Sequence, residues 1–180
     1  MKKQNIHLLR TTAELLIKGA SDTTSLAELI RELDDVKTAF ESDPTLASNL
    51  SDRAVHLEKR ESALFSALDG NVREDVLVAL LHLLRHDSLR DLSGLLLHVE
   101  RQVLERGTLS IAELKTADAV SKEQTTKIID LLKTTLKKDV VLKSSIDPKL
   151  LGGFTLKTEE TIVDASARGT LNRLKQALSE

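Results

Sequence analysis

Apolar residues recur through the first 107 positions at the three-to-four spacing of helices, with helix punctuation at each break. Ile6, Leu9, Ala13, Leu16 and Ala20 share one stripe, and Gly19 marks its end. Ser25 and Glu28 have capping-box spacing ahead of Leu26, Leu29, Leu33, Val36 and Phe40, which predicts a second helix. Asp43-Pro44 pairs an N-cap with a proline at the first helical position, opening a short third helix near Leu46 and Leu50. Leu57, Leu64, Phe65 and Leu68 predict a fourth helix that stops near Gly70, and residues 72–86 a fifth. A sixth is expected to open at Ser88, to carry Leu89, Leu92, Leu96, Val99 and Val103, and to close at Gly107. Six helices with short joints predict an antiparallel bundle over residues 1–107.

Beyond Gly107 the period changes. Leu109, Ile111 and Leu114 sit in a short extended run, and Ser121 with Gln124 caps a helix bearing Ile128, Leu131, Leu132 and Leu136. Val140, Leu142, Ser144 and Ile146 alternate with Val141, Lys143 and Ser145, the two-residue period of a strand. Asp147-Pro148 marks a turn, residues 154–157 and 161–163 read as paired short strands, and a last helix begins near Ser166 with Leu171, Leu174 and Leu178 on one face. The fold class is therefore mainly α: a six-helix bundle at 1–107, then a small α+β domain at 108–180.

The fifth helix stands out because Val76, Leu77, Val78, Leu80, Leu81, Leu83 and Leu84 cover more than one face. Such a helix is either central in its bundle or offers an apolar face to a partner. Charge narrows the partner. The chain has 26 basic and 28 acidic residues, only three aromatics (Phe40, Phe65 and Phe154) and no basic stripe, which argues against nucleic acid. With no cysteine, disulfides, thiolate nucleophiles and cysteine metal sites are excluded. Met1-Lys2-Lys3-Gln4-Asn5 lacks a signal peptide's apolar stretch, and Arg85, Asp87, Arg90 and Asp91 interrupt the longest apolar region, so any membrane association is expected to run through a partner.

Candidate chemistry is sparse. His82 and His86 are four apart and can share a helix face, but the sequence between them is Leu83-Leu84-Arg85, without the metalloprotease glutamate. A structural or surface role explains the pair better than a metal-dependent hydrolase, since zinc needs further ligands. Gly152-Gly153 lacks the lysine and hydroxyl residues of a phosphate loop and fits a tight turn or close backbone approach. Ser166 lies near Asp164 without a neighbouring His, which suits helix capping rather than nucleophilic catalysis. No catalytic, cofactor-binding or metal residues are expected.

The C-terminal third carries a more specific signal. Asp147-Pro148-Lys149-Leu150-Leu151-Gly152-Gly153-Phe154, then Ile162-Val163-Asp164-Ala165-Ser166-Ala167-Arg168-Gly169, then Leu171 to Leu178, resemble in order the delta subunit of F-type ATP synthases, called the oligomycin-sensitivity-conferring protein in mitochondria. Lys115 to Ser121 resembles that family's passage from strand to helix. The resemblance marks Asp147, Pro148, Gly152, Gly153, Asp164, Ser166, Arg168 and Gly169 as its motif residues. Thr158-Glu159-Glu160 and Ala165 depart from it, as does the missing tyrosine motif of the first helix.

What the resemblance implies is mechanical. The helical domain is expected to bind N-terminal segments of alpha subunits on top of the catalytic head, and the C-terminal domain the end of the b-type stalk, on the cytoplasmic face of a bacterial inner membrane. ATP chemistry occurs elsewhere in that assembly. A docked alpha-subunit helix is expected between the first and fifth helices, against Ile6, Leu9, Ala13 and Leu16 on one side and Leu77, Leu80, Leu81 and Leu84 on the other. Leu171, Leu174 and Leu178 are the expected stalk contacts. The rival reading is a helical adaptor unconnected with ATP synthesis.

Overall fold

The computed structural model describes residues 3–20, 22–68, 70–107 and 109–177. It is mainly helical, with a small C-terminal sheet of four strands. Two compact units divide the chain, Met1–Arg106 and Gly107–Glu180.

The first unit contains α1 (Lys3–Gly19), α2 (Thr23–Ser42), α3 (Pro44–Ser51), α4 (Leu57–Leu68), α5 (Glu74–Arg85) and α6 (Leu92–Glu105). α1 packs on α6 and α5, and α2 also lies against α6. Leu9 and Ala13 of α1, Leu29 and Leu33 of α2, Leu80 and Leu83 of α5, and Leu95 and Val99 of α6 are fully enclosed. Removing that apolar surface from water is what holds the helices together. The close α1–α6 approach depends on Gly94, because a Cβ there would sit 3.1 Å from Leu9 Cδ1.

Local sequence explains most helix starts. Asp43 accepts from the Thr45 and Leu46 amides, with Pro44 in the first turn of α3. α2 corrects the expectation built on Ser25 and Glu28: its N-cap is Asp22, whose carboxylate accepts the Ser25 amide at 2.6 Å. Asp22 competes for the same end of the helix, and Ser25 is engaged instead by Arg73, 48 positions away. The sixth helix also starts later than expected. A 3-10 turn at Leu89–Asp91 precedes it, and no side chain caps either element.

In the second unit, β1 (Leu109–Thr116), α7 (Lys122–Leu136), β2 (Asp139–Ile146), β3 (Phe154–Lys157), β4 (Ile162–Asp164) and α8 (Ala167–Ala177) follow in order. The strand order is β2-β1-β3-β4. β1 runs parallel to β2 with Leu109 opposite Asp139, and antiparallel to β3 with Leu114 opposite Leu156. Ser121 and Gln124 close a complete capping box on α7. α7 then covers one sheet face, where Ala112, Leu114, Leu132, Val140 and Leu142 form a core flanked by Ile128, Ile129 and Leu136.

Candidate functional site: a groove between the first and fifth helices

The stripe on α1 that looks most apolar in sequence is not a surface. Leu9, Ala13 and Leu16 are buried in the first unit, as are Leu77, Leu80 and Leu84 of α5; only Ile6 is exposed, and Leu81 is half-buried. The walls expected for a docked helix are thus mostly interior, because those stripes pack the unit's own core. Beside them runs an open groove of about 380 Å³ lined by Thr12, Leu15, Leu16, Glu74, Asp75, Val78, Ala79 and His82. Leu15 is 60% exposed and Val78 58% exposed. Leu15 lies outside the buried stripe of α1, and an apolar residue left outside that stripe was the available signal; Val78 is among the residues that make the fifth helix apolar on more than one face.

The apolar surface continues across α5. A second depression, sharing Val78 and His82 with the groove, adds Leu81, Arg85 and His86, and a third joins Leu81 to Phe65 of α4. Leu15, Val78, Leu81 and Phe65 therefore form one track over α1, α5 and α4. A separate hollow of about 400 Å³ lies between α2, α3 and the start of α6, but its apolar lining of Phe40, Leu89 and Leu92 is already half-buried or buried. It offers a partner little to cover.

Polar contacts fix the start of α5, and with it one end of the groove. Arg73 grips Asp75 at 3.1 and 2.7 Å and reaches the Ser25 carbonyl and hydroxyl at 3.0 and 2.8 Å. Its amide donates to Glu32 at 3.1 Å. Burial raises the Glu32 pKa above its ordinary value, against the pull of Arg73. Gly19, at the end of α1, sits over the Asp75 carboxylate. At the other end, Arg85 Nε meets Glu61 at 2.5 Å, and the His82 and His86 rings lie 4.8 Å apart, tilted by 40°. Among the described residues, no three His, Asp, Glu or Cys side chains stand together as a metal site.

In the second unit the motif residues converge on the start of α8. Asp147 caps the Pro148–Leu150 turn, and its own amide donates to Thr116. Gly152 and Gly153 both have positive φ, at 142° and 75°. The Gly152 carbonyl accepts from Ala167, and Ala165 donates to Phe154 O, both at 3.0 Å. Asp164 Oδ1 takes the Ser166 amide and hydroxyl at 3.0 and 2.6 Å, while Ser166 Oγ accepts the Gly169 amide at 2.9 Å. Ser166 thus caps the helix. A Cβ on Gly153 would strike the Ala165 carbonyl, and one on Gly169 the Asp164 carboxylate. These residues form a positioning device for the start of α8. Arg168 lies exposed beside it. α8 rests against the Pro148–Leu150 turn, and Leu171 is 50% exposed. Leu178 and the Leu174 side chain fall outside the described residues.

A family model described as the ATP synthase delta (OSCP) subunit matches residues 10–178. ATP synthase subunit delta of Clostridium kluyveri is 22% identical over 172 residues, covering 96% of this chain and 95% of that protein. Its counterpart in Clostridium perfringens is 20% identical, covering 96% of each. A chain in the cryo-EM structure of the Toxoplasma gondii mitochondrial ATP synthase hexamer superposes with a TM-score of 0.58 at 16% identity, covering 96% of this chain and 97% of that one. Among the described residues, no helix is long and apolar enough to cross a membrane.

Proposed function

This chain belongs to the ATP synthase delta (OSCP) subunit family, and from that premise we propose that it is a non-catalytic stator link of an F-type ATP synthase. The α1–α5 groove receives an N-terminal helix of an alpha subunit, and the C-terminal unit holds the end of the b-type stalk. The two attachments keep the catalytic head still while the rotor turns, on the cytoplasmic side of a bacterial membrane reached only through the complex.

The observation that carries this reading is the exposed track from Leu15 through Val78. Covering a fully exposed Leu or Val is worth about 1.5–3 kcal/mol; Leu15 and Val78, 60% and 58% exposed, each contribute roughly half of that, and Leu81 and Phe65 add to a helix-in-groove contact. Leu84 is a poor probe because it is buried, and an aspartate there would attack the fold. Val78→Asp is the informative change. It should weaken binding of the synthetic alpha N-terminal segment at least about tenfold with the helical circular dichroism intact. In pull-downs from native membranes it should lose the head but keep the stalk, and Leu171→Asp should do the reverse. Wild-type peptide affinity in Val78→Asp would remove the groove from the proposal.

A further inference from the structure

We infer that Leu151 is an anchor of the stalk contact, and that the stalk helix it meets carries acidic side chains beside its apolar stripe. The inference rests on the C-terminal unit being the stalk site, and adds a residue and a partner chemistry to that reading. Leu151 has φ 61° and ψ 1°, a left-handed backbone that glycine and asparagine accept and leucine resists. Its side chain is also 71% exposed. Two costs thus fall on one residue: an unfavourable backbone, and apolar surface left in water. Asp87 and Lys137, the other described non-glycine residues with positive φ, differ. Aspartate tolerates this backbone and here pairs with Arg53 and Arg60, while Lys137 ends α7 as an exposed cation. The turn itself demands the left-handed step, because the Leu151 amide donates to the Pro148 carbonyl and the Gly152 carbonyl accepts from Ala167. It does not demand a leucine.

Leu151 does not stand alone. Gly152 lies against the first turn of α8, where a Cβ would sit 3.7 Å from Ala167 Cβ. Leu171 is one turn beyond Ala167 on the same face of α8, and it too is exposed. Charge then selects the partner. Lys149 in the Pro148–Leu150 turn, Arg168 beside Ala167 and Lys175 one turn beyond Leu171 are all exposed, and α8 contains no acidic residue. The carboxylates at this corner accept hydrogen bonds within the protein, Asp147 from the Lys149 amide and Asp164 from Ser166. An apolar strip with a basic border fits an amphipathic helix with acidic flanks and disfavours a basic one.

The test uses the full chain and a synthetic segment from the membrane-distal end of its own b-type stalk subunit. Leu151→Asn should hold the thermal midpoint or raise it by up to about 3 °C, yet bind the segment about tenfold more weakly. Leu151→Met, which keeps an apolar side chain on the same backbone, should bind within about threefold of wild type. Lys149→Glu combined with Arg168→Glu should weaken binding, and most at low salt. Leu171→Asp serves as the control for the underlying reading. If Leu171→Asp abolishes binding while Leu151→Asn binds as wild type, the Leu151 inference falls and the stalk reading stands. If Leu151→Asn loses stability and affinity together, the leucine merely supports the turn and the inference is overturned. Unchanged or tighter binding by the double glutamate variant overturns the acidic partner. If the wild-type chain ignores the segment but binds phosphatidylglycerol vesicles, the surface meets lipid, and the stalk reading fails together with this inference.

Discussion

Glycines 70 and 153 make a matched pair for measuring how tightly the motif at the start of α8 is built. Both hold a left-handed backbone, at φ 73° and 75°, so an alanine at either meets the same local penalty of about 1–2 kcal/mol. Their surroundings differ. A Cβ on Gly70 meets nothing within 4 Å, whereas one on Gly153 runs into the Ala165 carbonyl oxygen and lies 3.2 Å from Ser166 Cα. Backbone cannot swing aside as a flexible side chain would. The segment is held by Ala165 donating to Phe154 and Ala167 donating to Gly152, so relief of the clash requires losing one or both bonds, at about 0.5–1.5 kcal/mol each. Gly70→Ala is therefore expected to cost about 1–2 kcal/mol and Gly153→Ala about 0.5–3 kcal/mol more than that. Urea unfolding gives the two values. Native-state hydrogen exchange localises the effect: the Ala165 and Ala167 amides should exchange more than about tenfold faster in Gly153→Ala and unchanged in Gly70→Ala. Equal destabilisation by the two substitutions would refute the argument that close backbone approach demands glycine at 153.

Two further predictions concern the first unit. Arg60 is buried and donates to the carbonyls of Leu50 and Val55 and to Asp87 at 3.2–3.3 Å; Arg60→Met should cost about 2–3 kcal/mol, less than a sealed pair because part of Asp87 touches water, and a loss below about 1 kcal/mol in urea titration would contradict that role. Burial, then His86 and Arg85, lower the His82 pKa below its ordinary 6.5, so its contribution to stability is complete above pH 6.5 and lost as pH falls through the lower folded value. His82→Gln should flatten the acid-side slope of the urea midpoint, and an unaltered slope would assign that slope to other groups.

Local chemistry was the readable part of this sequence. The Asp43-Pro44 start of α3 and the Ser121–Gln124 box of α7 both follow from interactions spanning two or three residues. So does the Ser166 cap of α8. Ser25 misled because Asp22 competes for the same helix end, and nothing local reveals that Arg73 will claim the serine. Alternation exposed β2, but the central place of β1, parallel to β2 and antiparallel to β3, depends on pairings between distant segments. The motif glycines were visible as glycines. That Gly153 is pinned against Ala165, and Gly169 against Asp164, required the fold.

The groove illustrates the same limit in a way that bears on function. Hydrophobic periodicity finds the stripe a helix buries against its own chain, which on α1 is Leu9, Ala13 and Leu16. A partner must use a different stripe, one apolar enough to attract it and polar enough at its edges to keep the free protein dispersed. Leu15, Val78, Leu81 and Phe65 meet the first condition, and Glu74, Asp75 and the Arg85–Glu61 pair bordering the track meet the second. That ion pair is largely exposed on the arginine side and contributes little to stability. An apolar centre within a charged rim is the anatomy that the proposed docking contact calls for. On α5 it resolves the choice posed by the sequence: Leu80, Leu83 and Leu84 face the core, while Val78 and Leu81 are left toward solvent. One helix can therefore be both central to its unit and open to a partner.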